Sequence, residues 1–71
     1  MDLFRQYDGF IVLDQTAQKL YKGRYIKGVN HTRAEDAVIA KLMKESDSPA
    51  NFGVYGFIRK GEWSKSTAEE V

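Results

Sequence analysis

The chain has no cysteine. That excludes a disulfide framework and a thiolate zinc site. Its single histidine, His31, excludes multi-histidine metal centres, so neither a metal nor a cofactor is expected. An excess of charge of one sign is also missing. Eleven basic residues face 10 acidic ones, for a formal net charge of +1. A wholesale electrostatic nucleic-acid binder is strongly basic, and this chain is not. No apolar run approaches the roughly 20 residues of a membrane-spanning helix. The start, MDLFRQYD, lacks the basic and apolar regions of a signal peptide. A cytoplasmic location without membrane contact is therefore expected. The sequence contains neither a G-x-x-x-x-G-K-S/T phosphate loop nor a G-x-G-x-x-G turn.

The 71 residues make a single domain, 1–71, and Met1 leads us to expect a complete small gene product. A chain of this size buries only about 60% of the surface its unfolded form exposes. Its core must come from aliphatic and aromatic packing alone. The clearest element is Thr32 to Glu45. Thr32 with Glu35 reads as a T-x-x-E capping box. Ala34, Val38, Ile39, Leu42 and Met43 share one half of the helix that follows. Arg33, Asp36, Lys41 and Lys44 form a mixed-charge outer half, the ordinary solvated face of such a helix.

Strands are expected on both sides of that helix. Phe10 to Leu13 is a short apolar run of strand formers. Asp14 to Gln18 is polar and fits a turn, with residues 15–21 left open between turn and one helical turn. Leu20 to Val29 reads as a second strand. Leu20, Lys22, Arg24 and Ile26 share one face of it, and Tyr21, Tyr25, Lys27 and Val29 share the other. Pro49 stops the helix region. Asn51 to Lys60 is a third strand, with Phe52, Val54 and Ile58 facing one way and Tyr55, Phe57 and Arg59 the other. Glu62-Trp63 is expected to begin a short fourth strand. Residues 64–71 are expected to fray, with one helical turn open to Ser66–Glu69. The fold class is thus α+β: a small antiparallel sheet of three or four strands packed by one helix, in the order β-β-α-β. The expected core is Phe10, Val12, Leu20, Ile26, Val38, Ile39, Leu42, Phe52, Val54 and Ile58, with Trp63 closing one end. With no second helix, the other sheet face is expected to be open, and function to lie on it.

Catalysis needs a nucleophile, a base and an orienting group converging in a pocket. One histidine beside a helix start does not supply them, and Asp8 and Asp14 read as solvated strand-end residues. We therefore expect a non-enzyme. The best candidate site is a basic, aromatic stretch. From Gln15 to Arg33 there are five basic residues and no acid. Tyr21, Lys22, Arg24, Tyr25 and Lys27 fall within it as candidate partner-binding residues, since Tyr and Arg are enriched in binding hot spots. Lys22 and Arg24 share a face with core residues, which requires a bulge at Gly23 or long stems that reach outward.

Tyr55, Phe57 and Arg59 form a secondary binding face. The run Tyr55-Gly56-Phe57-Ile58 followed by Arg59-Lys60 locally resembles the RNA-contacting strand of cold-shock and RRM domains, whose pattern is G-F/Y-G-F/A-V/I beside basic residues. Here Val54 stands in place of the leading glycine. The resemblance implies aromatics that stack bases while cations hold phosphate.

Two functions are expected from these features. The first is a small binding protein that occludes a host protein or protein complex. This is the architecture of phage-encoded inhibitors, including anti-CRISPR-like proteins, and it would place the chain in the host cytoplasm. The alternative is a nucleic-acid-binding module using the basic-aromatic strand. A homodimer through an exposed strand edge is a further option.

Overall fold

A computed structural model describes residues 7–46, 51–65 and 67–71. The elements are β1 (Tyr7–Asp14), β2 (Lys19–Arg24), α1 (His31–Lys44), β3 (Phe52–Arg59), a 3-10 turn at Trp63–Lys65, and β4 (Glu69–Glu70). The protein is α+β, with one helix packed on a four-stranded sheet of order β3-β1-β2-β4. β1 runs antiparallel to both β2 and β3, while β4 runs parallel to β2, so the sheet is mixed rather than purely antiparallel. β1 begins three residues before the expected Phe10, at Tyr7.

The β1–β2 hairpin is closed by Asp14. Its Oδ1 accepts from Thr16 N at 3.0 Å and from Ala17 N at 3.1 Å, the geometry by which an Asp side chain stabilises a turn. Asp14 is therefore a buried turn former and not the solvated strand-end residue expected. Residues 15–18 form the turn, ending in Gln18 at φ 55°. β2 stops at Arg24, five residues before Val29. There Tyr25 N donates to Asp8 O at 2.8 Å, and the chain leaves the sheet for the helix.

The helix begins two residues earlier than the T-x-x-E motif implied. Asn30 is the N-cap, and its Oδ1 accepts from Thr32 N at 2.9 Å and Arg33 N at 3.4 Å. Thr32 lies inside the helix. Glu35 does not reach back to a cap; its Oε2 accepts from the Tyr25 hydroxyl at 2.6 Å. With Asn30 as the N-cap the third helical position is Arg33, so Glu35 lies too far along the helix to complete a capping box.

Two β-bulges decide which side chains reach the core. Along the β1–β3 ladder Asp8 is an extra residue on β1, and Tyr55 is an extra residue on β3. The bulge at Tyr55 reverses the alternation expected for this strand. Phe57 stands opposite Phe10 on the helix side, with Val54 opposite Val12 and Phe52 opposite Asp14. Ile58 turns to the outer side. On the helix side Phe10, Val12, Ala34 and Leu42 form the buried cluster, with Tyr21, Tyr25, Val38, Ile39, Phe52 and Val71 packed around it. Phe10 and Val12 are the largest fully buried side chains. Tyr21 and Tyr25, not Leu20 and Ile26, thus supply the β2 side of the core. Ile26 is 61% exposed in the loop, and Val54 is 39% exposed on an edge, so both leave the expected core list.

The outer sheet face is not open. The segment after Gly61 folds back across it. Trp63 approaches Gly9 so closely that a Cβ there would meet its ring and the Gly23 carbonyl. Ile58 and Ala68 are both buried on this side, around a pocket that Ile11 and Leu20 also line. Glu62-Trp63 is a loop and a 3-10 turn, not a strand; the fourth strand is Glu69–Glu70. Residues 67–71, in the tail expected to fray, hold Ala68 buried and pair β4 with β2. Among the described residues no helix is long and apolar enough to cross a membrane.

Candidate binding surface

The basic-aromatic stretch does not form one surface. Strand alternation sends its residues to opposite sides of the sheet. Tyr21 and Tyr25 are half-buried against the helix-side cluster. Tyr25 is fixed on three sides: its ring centroid lies 5.1 Å from that of Phe10 and 4.2 Å from that of His31, and its hydroxyl donates to Glu35. Burial, then the bond to the Glu35 carboxylate and its charge, hold this phenol far above its ordinary pKa.

Lys22 and Arg24 lie on the outer side with Trp63. Lys22 Nζ donates to Trp63 O at 3.0 Å and sits 5.2 Å from the indole centroid. The Arg24 guanidinium carbon is 4.0 Å from that centroid, and Arg24 Nε is 3.3 Å from Glu70 Oε1. These are cation–π contacts that pin the segment after β3 onto the sheet. Lys27 is exposed in the turn before the helix. The five residues thus divide among the core, the outer face and a loop.

The β3 residues behave differently. Among the described residues β3 is an edge strand, paired on one side only, with β1. From Phe52 to Ile58 it carries no charge and no proline. Edge strands are normally blunted by such residues. Here the blunting is limited to the Tyr55 bulge and to Arg59 at the strand end. Tyr55 is 66% exposed and Phe57 45% exposed, and Val54 joins them. The Phe57 ring packs 5.2 Å from that of Tyr7, which braces it without covering it.

The helix packs against β3 and β2, and its first turn and β3 leave a groove between them. One wall is Asn30, His31, Thr32 and Glu35, and the other is Val54 to Phe57; its volume is about 510 Å³. The floor is apolar, and the helix wall supplies a hydroxyl, an amide, an imidazole and a carboxylate. Val54 and the Asn30–Thr32 wall were not legible as site residues, because the exposure of Val54 follows from the place of β3 at the sheet edge and the wall from the packing of the helix, neither of which has a local sequence signal.

His31 meets the Tyr25 ring edge-on, Asp14 closes its turn, and among the described residues no three potential metal ligands gather. Comparison with known proteins finds no matching family model, no matching curated protein and no matching solved structure.

Proposed function

We propose that this chain is a small non-enzymatic binding protein that acts by occluding a partner protein through the β3 edge and its groove. The observation that carries the reading is the uncharged edge strand whose Val54, Tyr55 and Phe57 reach solvent side by side. Contiguous exposed apolar surface of this kind marks interaction sites. An aromatic pair beside a polar-walled groove matches the anchor-and-rim anatomy of protein interfaces. The partner is a host protein or complex, and the setting is that of a phage-encoded, anti-CRISPR-like inhibitor working in the host cytoplasm. Its mechanism is steric: no bond is made or broken, and the occupied surface is denied to the partner's own ligand.

The alternative, a nucleic-acid module, draws its cations from the β2 segment. Lys19 and Arg24 are already faced by Glu69 and Glu70, which supports the protein reading over it. A photo-crosslinking residue at position 55, with a control at Lys41 on the outer helix face, separates the classes in cells that express the chain. The expected result is a discrete protein adduct from position 55 that is absent from position 41. A nucleic-acid adduct, an adduct only between copies of the chain, or identical patterns from the two positions would each overturn the reading.

A further inference from the structure

The β2 edge opposite β3 is occupied by the chain's own acidic strand. β4 pairs with β2 in parallel over two residues only, Tyr21 with Glu69 and Lys22 with Glu70, and Val71 N donates to Lys22 O at 2.9 Å. Lys19 Nζ lies 3.8 Å from Glu69 Oε1, and Arg24 Nε lies 3.3 Å from Glu70 Oε1. Val71 then packs on the helix-side cluster. The three residues alternate as a strand must: Glu69 toward Lys19, Glu70 toward Arg24 on the outer side, and Val71 back toward the core.

This strap is weakly held. Both ion pairs are more than half exposed, and exposed pairs contribute little to stability. β2 offers six residues to a neighbour, and β4 uses two of them. A longer strand of the same chemistry would satisfy more of that edge.

We propose that the β2 edge is a docking site for an extended acidic segment of a partner protein, two adjacent acids followed by an aliphatic residue, which adds parallel to β2 in place of residues 69–71. Charge complementarity selects the occupant: Lys19 and Arg24 stand where the chain's own glutamates now pair. Glu69 and Glu70 are then a built-in competitor that keeps the edge from pairing indiscriminately and sets the affinity threshold. This edge lies across the sheet from the β3 face, and the proposal stands or falls independently of it.

The test uses a short labelled peptide with two adjacent glutamates followed by valine, and fluorescence anisotropy on the full chain. Charge reversal of the strap, Glu69→Lys with Glu70→Lys, is expected to tighten peptide binding by about tenfold or more, because the competent open state becomes the populated one. The milder pair Glu69→Gln with Glu70→Gln is expected to give a smaller gain, and it decides the matter if the lysine variant does not fold. Lys19→Glu with Arg24→Glu is expected to abolish binding. No gain in either strap variant, or equal binding of a peptide with lysines in place of its glutamates, overturns the proposal. So does a dimer that forms when the strap is released and leaves the peptide unbound, since that assigns the edge to a second copy.

Discussion

Replacing Tyr25 by Phe removes one oxygen and leaves the ring where it packs. The ring contacts with Phe10 and His31 survive, so the change isolates the bond from the Tyr25 hydroxyl to Glu35 at 2.6 Å. Hydrogen bonds to charged groups contribute about 1.5–3 kcal/mol. This pair is only part-buried, and solvent screening puts the expected loss at the lower end, about 1.5 kcal/mol. For a domain of this size about 1 kcal/mol moves Tm by about 4–8 °C, so Y25F should melt about 6–12 °C lower near neutral pH.

The same contact predicts a pH signature. The folded state favours protonated Tyr25, whose pKa is raised from its ordinary 10.0. Its contribution is complete below that ordinary value and is lost as pH climbs through the folded one. Part of the tyrosinate absorbance should therefore develop only well above the usual phenol range, and that part should vanish in Y25F. The assay is denaturant unfolding of wild type, Y25F, Glu35→Ala and the double variant, with an ultraviolet titration of wild type and Y25F. A coupling energy between the two sites below about 0.5 kcal/mol refutes the bond as a stabilising contact.

Three further outcomes are expected. Asn30→Ala should cost about 1 kcal/mol, the usual loss of an N-cap, while Thr32→Ala should cost much less; a denaturation series giving the reverse order would restore Thr32 as the cap. Gly9→Ala should destabilise by about 1–3 kcal/mol through overpacking against Trp63 and the Gly23 carbonyl, with a changed Trp63 emission, whereas Gly53→Ala, which meets open space, should stay within about 0.5 kcal/mol. Phe10→Ala should cost about 3–5 kcal/mol and leave little folded protein by circular dichroism, since Phe10 is fully buried at the centre of the helix-side cluster.

The helix and the three long strands were legible because each rests on a local signal. The apolar arc of α1 and the run Phe10–Leu13 are periodic patterns that burial enforces directly. What was not legible depended on two non-local events. The extra residue at Tyr55 reversed the faces of Phe57 and Ile58, and no propensity of Tyr55 itself announces a bulge. Trp63 and Ala68, placed on the outer face, turned an expected open surface into a second packed one. That packing also let Lys22 and Arg24 share a strand with core-facing tyrosines: their stems lie along Trp63 while Tyr21 and Tyr25 face the helix. The conflict seen in the β2 alternation was real, and its resolution was an inverted face, not a bulge at Gly23. The candidate surface was half visible in the same way. Tyr55 and Phe57 stood out by type, but Val54 and the groove wall at Asn30–Thr32 emerge only once the helix is placed against β3.

The central claim is that the exposed β3 aromatics bind a protein partner. It is tested most directly by calorimetric titration of the partner crosslinked from position 55 with wild type and with Tyr55→Ala/Phe57→Ala. Tyr55 and Phe57 are both exposed and neither belongs to the buried cluster, so the double change should cost no more than about 1 kcal/mol of stability. Affinity should fall by about 100-fold or more, as expected when aromatic anchors are truncated. A double variant that stays folded and binds the partner within about threefold of wild type would contradict the account.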